Sequence, residues 1–556
     1  MMSRFPLPDI PVNWYYIPMP RLDTARQVLS TVFGHREFRP LQEEVIGSVL
    51  AGKDTVAIMP TGGGKSLCYQ VPALLFDGLT VVVSPLIALM QDQVSALERL
   101  GIDAVFLNSS LDRESWRAAA SRVSSGSVRL LYVAPESLAG ERVLELLDAC
   151  TVSCLTIDEA HCISDWGHDF RPEYRSLSAF RSRFSPAVTL ALTATATAQV
   201  RSDIVASLKL HKPVIFVSSF NRPNIYLSVS AKTKPVHQVL EFLAERPGQA
   251  GIIYCFSRKQ VDDLVNELTV RKFSAVPYHA GLKDDVRMQN QEAFLDGSVD
   301  IVVATVAFGM GINKSDVRFV IHFDLPKSLE QYYQEIGRAG RDGKAATALL
   351  LYSYGDTRKI AFFLEEKSER ESKKAVIHLK AMTDYASARS CRRNLLLSWF
   401  GETLQPVSPV DTLLPCCDIC TRGAVDEVDV TIPAQKFMSC IVRTGERYGT
   451  GYIADILLGS RQERIVGNGH HKLSTWGIGR DLSREDWFSL CALLVDAGYI
   501  RKTGEYGVLV LTRDGRDALS AREVIALPFE KSAEPPISRA RPRSLPKRKV
   551  RRKKEL

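Results

Sequence analysis

Nowhere does this sequence run apolar for the about 18 residues a membrane-spanning helix requires. Its opening stretch, MMSRFPLPDIPVNWYYIPMP, places prolines and Asp9 where a secretory signal needs an unbroken apolar run. A short-period repeat is also lacking, which excludes solenoids and propellers. Compositional bias is lacking too: hydrophobic residues at 45% and charged residues at 24% exclude wholesale disorder, collagen and a coiled-coil fibre. These absences predict a soluble, unsecreted protein with no membrane partner. Cysteines in such a setting stay reduced, so the eleven present are no disulfide framework, and any that cluster read first as a metal site.

What is present is length and a lopsided charge. At 556 residues, and roughly 100 to 200 residues per domain, the chain predicts three to five domains. The formal net charge is +8, yet Ser538–Leu556 alone carries ten Lys/Arg against one Glu, so the remainder is close to neutral. A terminal like-charge block reads as a solvated tail whose commonest partner is a polyanion, nucleic acid first; a bland solubilising tail is the alternative.

Residues 1–21 hold five prolines with Trp14, Tyr15 and Tyr16 and read as an extended arm. Over 22–217, β-branched runs (TVAIM, LTVVVSP, VRLLYVAP, VSCLTID, VTLALTAT) alternate with helical stretches, which predicts an α/β domain with a parallel sheet. The pattern restarts over 218–354 with GIIYCFS, FSAVPYH, VDIVVATV, VRFVIHF and AATALLLYS. A charged, helical segment with a cysteine cluster follows over 355–425, then a compact block over 426–527 and the basic tail from 528.

The strand TVAIM runs into PTGGGKS and then a helical LCYQVPALL. Thr61, Gly62, Gly63 and Gly64 can wrap phosphates with backbone amides, while Lys65 reaches the terminal phosphates and the Ser66 hydroxyl binds Mg²⁺. Met59 stands where the strict pattern has its first glycine. The strand SCLTID ends in Asp158, Glu159, Ala160 and His161, acids that would face the ligand crevice of a parallel sheet. Asp158 would hold Mg²⁺ and Glu159 polarise the attacking water; a helix N-cap by Asp158 is the structural alternative. In QEIGRAGRDG, Arg338 and Arg341 lie three apart, on one side of a helix if one forms there, placed to reach a transferring phosphoryl group from a second lobe. Cys391, Cys416, Cys417 and Cys420 supply four thiolates, a set suited to structural Zn²⁺.

Taken in order, these motifs with SPLIALMQDQV, ALTATAT, YCFSRKQVDDL, YHAGL, VATVAFGMGINK and YYQEIGRAGRDG resemble the RecQ family of superfamily 2 DNA helicases, from about Leu22 to Leu527. The resemblance implies two tandem RecA-like parallel-sheet lobes, a helical zinc-binding subdomain and a winged-helix domain. It implies ATP and Mg²⁺ as cofactors beside Zn²⁺, and DNA unwinding with 3′ to 5′ polarity. LSTVFGHREFRPLQEEVI resembles the family's adenine-recognition motif and so implies Gln42 on the adenine, with Phe33 and Arg39 nearby. It implies that Thr193 and Thr195 couple nucleotide state to DNA contact. CISDWGHDFRPEY resembles the aromatic-rich loop that links DNA binding to hydrolysis, and Trp166, Phe170 and Arg171 offer stacking faces with a cation beside them.

Two departures stand out. Asn313 and Ser315 replace the family's usual Asp and Pro. The second cysteine cluster reads LLPCCDIC, with Leu414 where the family has its first cysteine and Cys416 set beside Cys417. In the last folded block, a short hairpin around Thr503–Gly507 makes Arg501, Lys502 and Tyr506 candidates for contacting the last base pair at a fork. Single-stranded and forked duplex DNA are the implied substrates, and a single-stranded-DNA-binding protein the implied protein partner. A nucleoid-associated cytoplasmic location is expected, with the PKRKV stretch leaving a nuclear one open. An RNA helicase, or a DNA-binding scaffold without motor activity, are the rival readings.

Overall fold

The computed structural model describes residues 19–108, 111–138, 140–167, 169–306, 308, 314–364, 369–403, 415–422, 427–503, 507–529 and 531. Asn313, Tyr506, Leu414, nearly all of the N-terminal arm and the basic stretch from 538 onward lie outside them. The chain divides into two units, Met1–Arg422 and Gly423–Leu556.

The first unit is built on two wholly parallel sheets. The first contains β1 (Thr55–Ile58), β2 (Leu79–Val83), β3 (Ala104–Leu107), β4 (Leu130–Val133), β5 (Val152–Ile157), β6 (Val188–Thr193) and β7 (Val214–Val217), in the order β3-β4-β2-β5-β6-β1-β7. β1, β2 and β6 are buried along their whole length, which is why they read as continuous apolar, β-branched runs rather than alternating ones. Because every strand runs the same way, β5, β6 and β1, three neighbours, deliver their C-terminal ends side by side.

The second sheet contains β8 (Ile225–Ala231), β9 (Gly251–Tyr254), β10 (Ala275–Tyr278), β11 (Ile301–Ala304), β12 (Phe319–His322) and β13 (Ala346–Tyr352), in the order β10-β11-β9-β12-β13-β8. The expectation of two α/β lobes holds, with strands added that the sequence pattern did not flag: β3, β7 and β8. The edge strand β8 alternates buried and half-buried positions, so it lacks the solid apolar run that marks its interior neighbours. At that edge, Leu227 forms a parallel bridge with Cys417, and the Leu227 N–H donates to the Cys416 carbonyl at 3.3 Å. The cysteine segment is thereby hydrogen-bonded to the second sheet. Phe400, at the end of the helix Arg392–Trp399, stacks on Phe220 with ring centroids 4.4 Å apart.

The second unit has its own core of residues between Val430 and Phe529. Trp487, fully buried on the helix Arg484–Asp496, stacks on Phe437 of the helix Thr431–Arg443 and donates its indole N–H to the Gly479 carbonyl at 2.9 Å. The expected hairpin is present as β14 (Ile500–Thr503) paired antiparallel with β15 (Val508–Leu511).

Candidate active site and metal site

The strand β1 ends and the chain turns at once through Met59–Ser66 into the helix Leu67–Ala73. Gly62 and Gly64 take positive φ angles, 81° and 76°, which only glycine adopts without strain. Close approach demands glycine here as well. A Cβ on Gly64 would lie 2.3 Å from Gln42 Nε2, and one on Gly62 would lie 3.1 Å from Arg341 Cγ. Lys65 donates to the Met59 carbonyl at 3.4 Å, folded back along the loop.

Gln42 is buried and joins two segments: its Oε1 accepts from the Arg39 N–H at 2.8 Å and its Nε2 donates to the Gly64 carbonyl at 2.9 Å. The Arg39 guanidinium is hydrogen-bonded to the Gly62 carbonyl, and Phe33 is half-buried in the core beside this motif. Gln42 and Arg39 therefore both bond to the phosphate loop, while Phe33 packs in the adjoining core.

The acids follow β5. Asp158 donates its N–H to the Val83 carbonyl and accepts from the Glu159 N–H at 3.0 Å, while Glu159 sits at a left-handed φ of 48°. Burial and the adjoining Glu159 carboxylate push the Asp158 carboxyl up to about 7, against the pull of Lys65. Glu159 Oε2 lies 3.2 Å from His161 Nδ1, which is also 2.8 Å from Thr193 Oγ1. Burial opposes the His161 cation, but Cys162 and Glu159 outweigh it and push the imidazole up to about 10. Thr193 Oγ1 in turn donates to the Thr195 carbonyl at 3.3 Å, and Thr195 Oγ1 accepts from Gln334 Nε2 at 3.2 Å. Side-chain contacts thus run from Glu159 through His161, Thr193 and Thr195 to Gln334 on the second sheet's side of the cleft. Gln334 went unflagged because an isolated Gln in YYQE carries no local signal. The Tyr174 hydroxyl, equally unflagged, donates to the Asp158 carbonyl at 3.1 Å.

Arg338 and Arg341 are not on a helix. The helix Leu329–Ile336 ends before them, and Gly337 with Gly340, at φ 57°, turns the chain instead. The turn meets the phosphate loop directly: the Thr61 hydroxyl donates to the Gly337 carbonyl at 3.0 Å, and the Arg341 stem lies over Gly62. Burial, Arg338 and Arg222 together lower Arg341 to about 10.

In the aromatic loop Trp166 is 36% exposed, with Lys374 Nζ 5.0 Å from its ring centroid and 3.3 Å from Asp165. Arg175 lies 4.9 Å over the Phe170 ring. Arg171 is engaged elsewhere, with the Asp169 carboxylate at 3.2 Å and the Pro85 carbonyl at 2.9 Å. The cations beside the two rings are thus Lys374 and Arg175 rather than Arg171. Arg501 and Lys502 are exposed on β14.

Cys391, Cys416, Cys417 and Cys420 come together with all four sulfurs within 4.8 Å of one another. Cys416 Sγ lies 3.5 Å from that of Cys391 and 3.4 Å from that of Cys420, so the displaced cysteine reaches the cluster. Hydrogen bonds from Cys391 and Cys416 hold the Cys417 thiol far below its usual range, while the same network pushes Cys416 up. Four thiols packed this closely fit one tetrahedral Zn²⁺. Ser66 and Asp158 offer oxygens suited to Mg²⁺.

Four family models match the chain in series: DEAD/DEAH box helicase over 39–204, helicase conserved C-terminal domain over 232–343, RecQ zinc-binding over 354–421 and RQC domain over 424–536. The chain is 45% identical over 521 residues to the ATP-dependent DNA helicase RecQ of Pasteurella multocida, covering 93% of this chain and 81% of that protein. To the ATP-dependent DNA helicase RecQ of Bacillus subtilis it is 39% identical, covering 91% and 85%. Among solved structures, the helicase MrfA bound to DNA superposes with a TM-score of 0.50 at 20% identity, over 65% of this chain and 54% of that one, a likeness of fold.

Proposed function

From the premise that the chain belongs to the RecQ family of ATP-dependent DNA helicases, we propose that it hydrolyses ATP between its two parallel sheets to move 3′ to 5′ along single-stranded DNA and open duplex ahead of it. The observation that carries this reading is the meeting of phosphate loop and arginine turn, Thr61 bonded to Gly337 and Arg341 laid over Gly62.

ATP binds with its phosphates on Thr61–Ser66 and its base against Gln42, Phe33 and Arg39. Ser66 and Asp158 would hold Mg²⁺, which would supply positive charge to offset that of the terminal phosphates. Glu159 orients the attacking water, and Arg338 with Arg341 stabilises the charge that spreads over the transferring group, an effect worth about 10³ to 10⁵ in rate for an arginine finger. Hydrolysis splits the triphosphate into ADP and inorganic phosphate, and release of the phosphate takes away the charge that Arg338 and Arg341 face. The Thr193–Thr195–Gln334 chain carries that change across the cleft.

Trp166 and Phe170 stack on successive bases without reading sequence. Arg501, Lys502 and Tyr506 meet the duplex at the fork, and Ser538–Leu556 adds salt-sensitive grip on phosphates. DNA as substrate also supports association with the nucleoid and with a single-stranded-DNA-binding protein.

The test is unwinding of a duplex with a 3′ single-stranded tail, with ATP and Mg²⁺, by the wild type and by Lys65→Ala. Strand release by the wild type alone is expected. DNA binding without unwinding, and without DNA-stimulated ATP hydrolysis, would move the reading to the scaffold.

A further inference from the structure

Arg222 sits between β7 and β8, where the chain crosses from one sheet to the other, and its side chain holds both walls of the nucleotide cleft. Nη1 donates to the Thr61 carbonyl at 3.4 Å and the Gly337 carbonyl at 3.2 Å; Nη2 donates to the Ala339 carbonyl at 2.9 Å and the Gly340 carbonyl at 3.1 Å. Thr61 belongs to the phosphate loop, and Gly337–Gly340 is the turn that carries Arg338 and leads into Arg341. Burial lowers the Arg222 pKa, so a cation is kept here at a desolvation cost. Two nitrogens spent on four carbonyls leave this guanidinium shaping backbone rather than reaching for phosphate.

The backbone of Arg222 is itself pinned. Arg393, buried on the helix Arg392–Trp399, donates through Nη1 to the Arg222 carbonyl at 2.6 Å and to Asn221 Oδ1 at 2.8 Å. Its Nη2 donates to the Ile225 carbonyl at 2.6 Å and to the Cys416 carbonyl at 3.3 Å. Two arginines in series therefore tie the cysteine segment to the crossing, and the crossing to the turn and the phosphate loop.

We propose that Arg222 is a positioning residue that sets Arg338 and Arg341 against the phosphate loop, and that Arg393 holds Arg222 in register from the cysteine-bearing segment. The proposal rests on ATP hydrolysis at this cleft. A planar fork can serve two pairs of carbonyls at once, whereas a single ammonium cannot span them.

The experiment measures DNA-stimulated ATP hydrolysis by the full chain as wild type, Arg222→Gln, Arg222→Lys, Arg393→Gln and the double variant Arg222→Gln with Arg393→Gln. ADP affinity and the thermal midpoint are measured alongside. In Arg222→Gln, kcat falls about tenfold or more while ADP affinity shifts by less than about threefold, because Lys65, Ser66 and Gln42 are untouched. Arg222→Lys fails to restore kcat. Adding Arg393→Gln to Arg222→Gln costs less than about twofold more, the non-additivity of residues acting in one chain. The proposal is overturned if Arg222→Gln keeps kcat within about threefold of wild type, if Arg222→Lys restores it, or if the two substitutions add. It is equally overturned if kcat, ADP affinity and thermal midpoint fall together. Should Arg222→Gln not fold, the charge-keeping Arg222→Lys carries the same comparison. A wild type without DNA-stimulated hydrolysis would instead overturn the function proposed above.

Discussion

Gly62 shows how much a single hydrogen atom in place of a side chain decides. At φ 81°, with Arg341 Cγ 3.1 Å from where a Cβ would stand, Gly62→Ala must both strain the loop and push the arginine aside. ATP turnover is expected to drop about tenfold, with a stability loss of only about 1 kcal/mol by thermal melting. Glu330 makes a pH prediction. Burial alone would raise its carboxyl, but the neighbouring His378 and the Trp399 indole N–H, 2.7 Å from Oε1, outweigh it and lower it below the usual 4.5. A depressed folded pKa gives stability that is present above the unfolded value and lost as pH falls through the folded one. Glu330→Gln should therefore be less stable than wild type by about 2 kcal/mol at pH 7, and the gap should close as pH falls below the usual 4.5 of a glutamate in denaturant titrations. A gap independent of pH would mean that the lost charge is not the cause. At this scale Lys65, Ser66, Asp158, Glu159 and the four cysteines stand out in the sequence by type and spacing, and the four cysteines come together in the structure. Arg222, Gln334 and Tyr174 were invisible, because their work depends on partners distant in the chain.

At the scale of elements, buried strands were legible as unbroken β-branched runs, and the half-buried β8 was not. The helix considered for Arg338 and Arg341 was read from spacing, but Gly337 and Gly340 break it, and that break is what carries Arg341 back over the phosphate loop. The cysteine segment offers a direct check. With Cys416 Sγ 3.5 Å from that of Cys391, Cys416→Ser is expected to lower bound zinc well below one per chain by metal analysis, while Cys150→Ser, remote from the cluster, leaves it unchanged. In the second unit a Cβ on Gly479 would stand 2.5 Å from the Trp487 ring, so Gly479→Ala should destabilise that core by about 1–3 kcal/mol, seen in the near-ultraviolet signal of its buried tryptophan.

For the molecule as a whole, the two units have hydrophobic cores with no residue in common, one drawn from Val430–Phe529 and the rest from positions before 423. A fragment of residues 423–556 is therefore expected to unfold cooperatively on its own, with a midpoint indifferent to zinc chelation, when followed by circular dichroism. The division into α/β lobes and a later compact block was readable from the change in hydrophobic period along the chain. The way the cysteine segment extends the second sheet was not, since one bridge between Leu227 and Cys417 leaves no trace in composition.

That bridge has a meaning apart from hydrolysis. A strand on the rim of a sheet offers unpaired amides and carbonyls to any other chain, and proteins that leave such a rim open tend to stick to themselves. Here the cysteine segment shields part of the rim at Leu227. A chain stripped of its metal would loosen that guard, and its failure would show as clumping during purification before it showed as a slow enzyme.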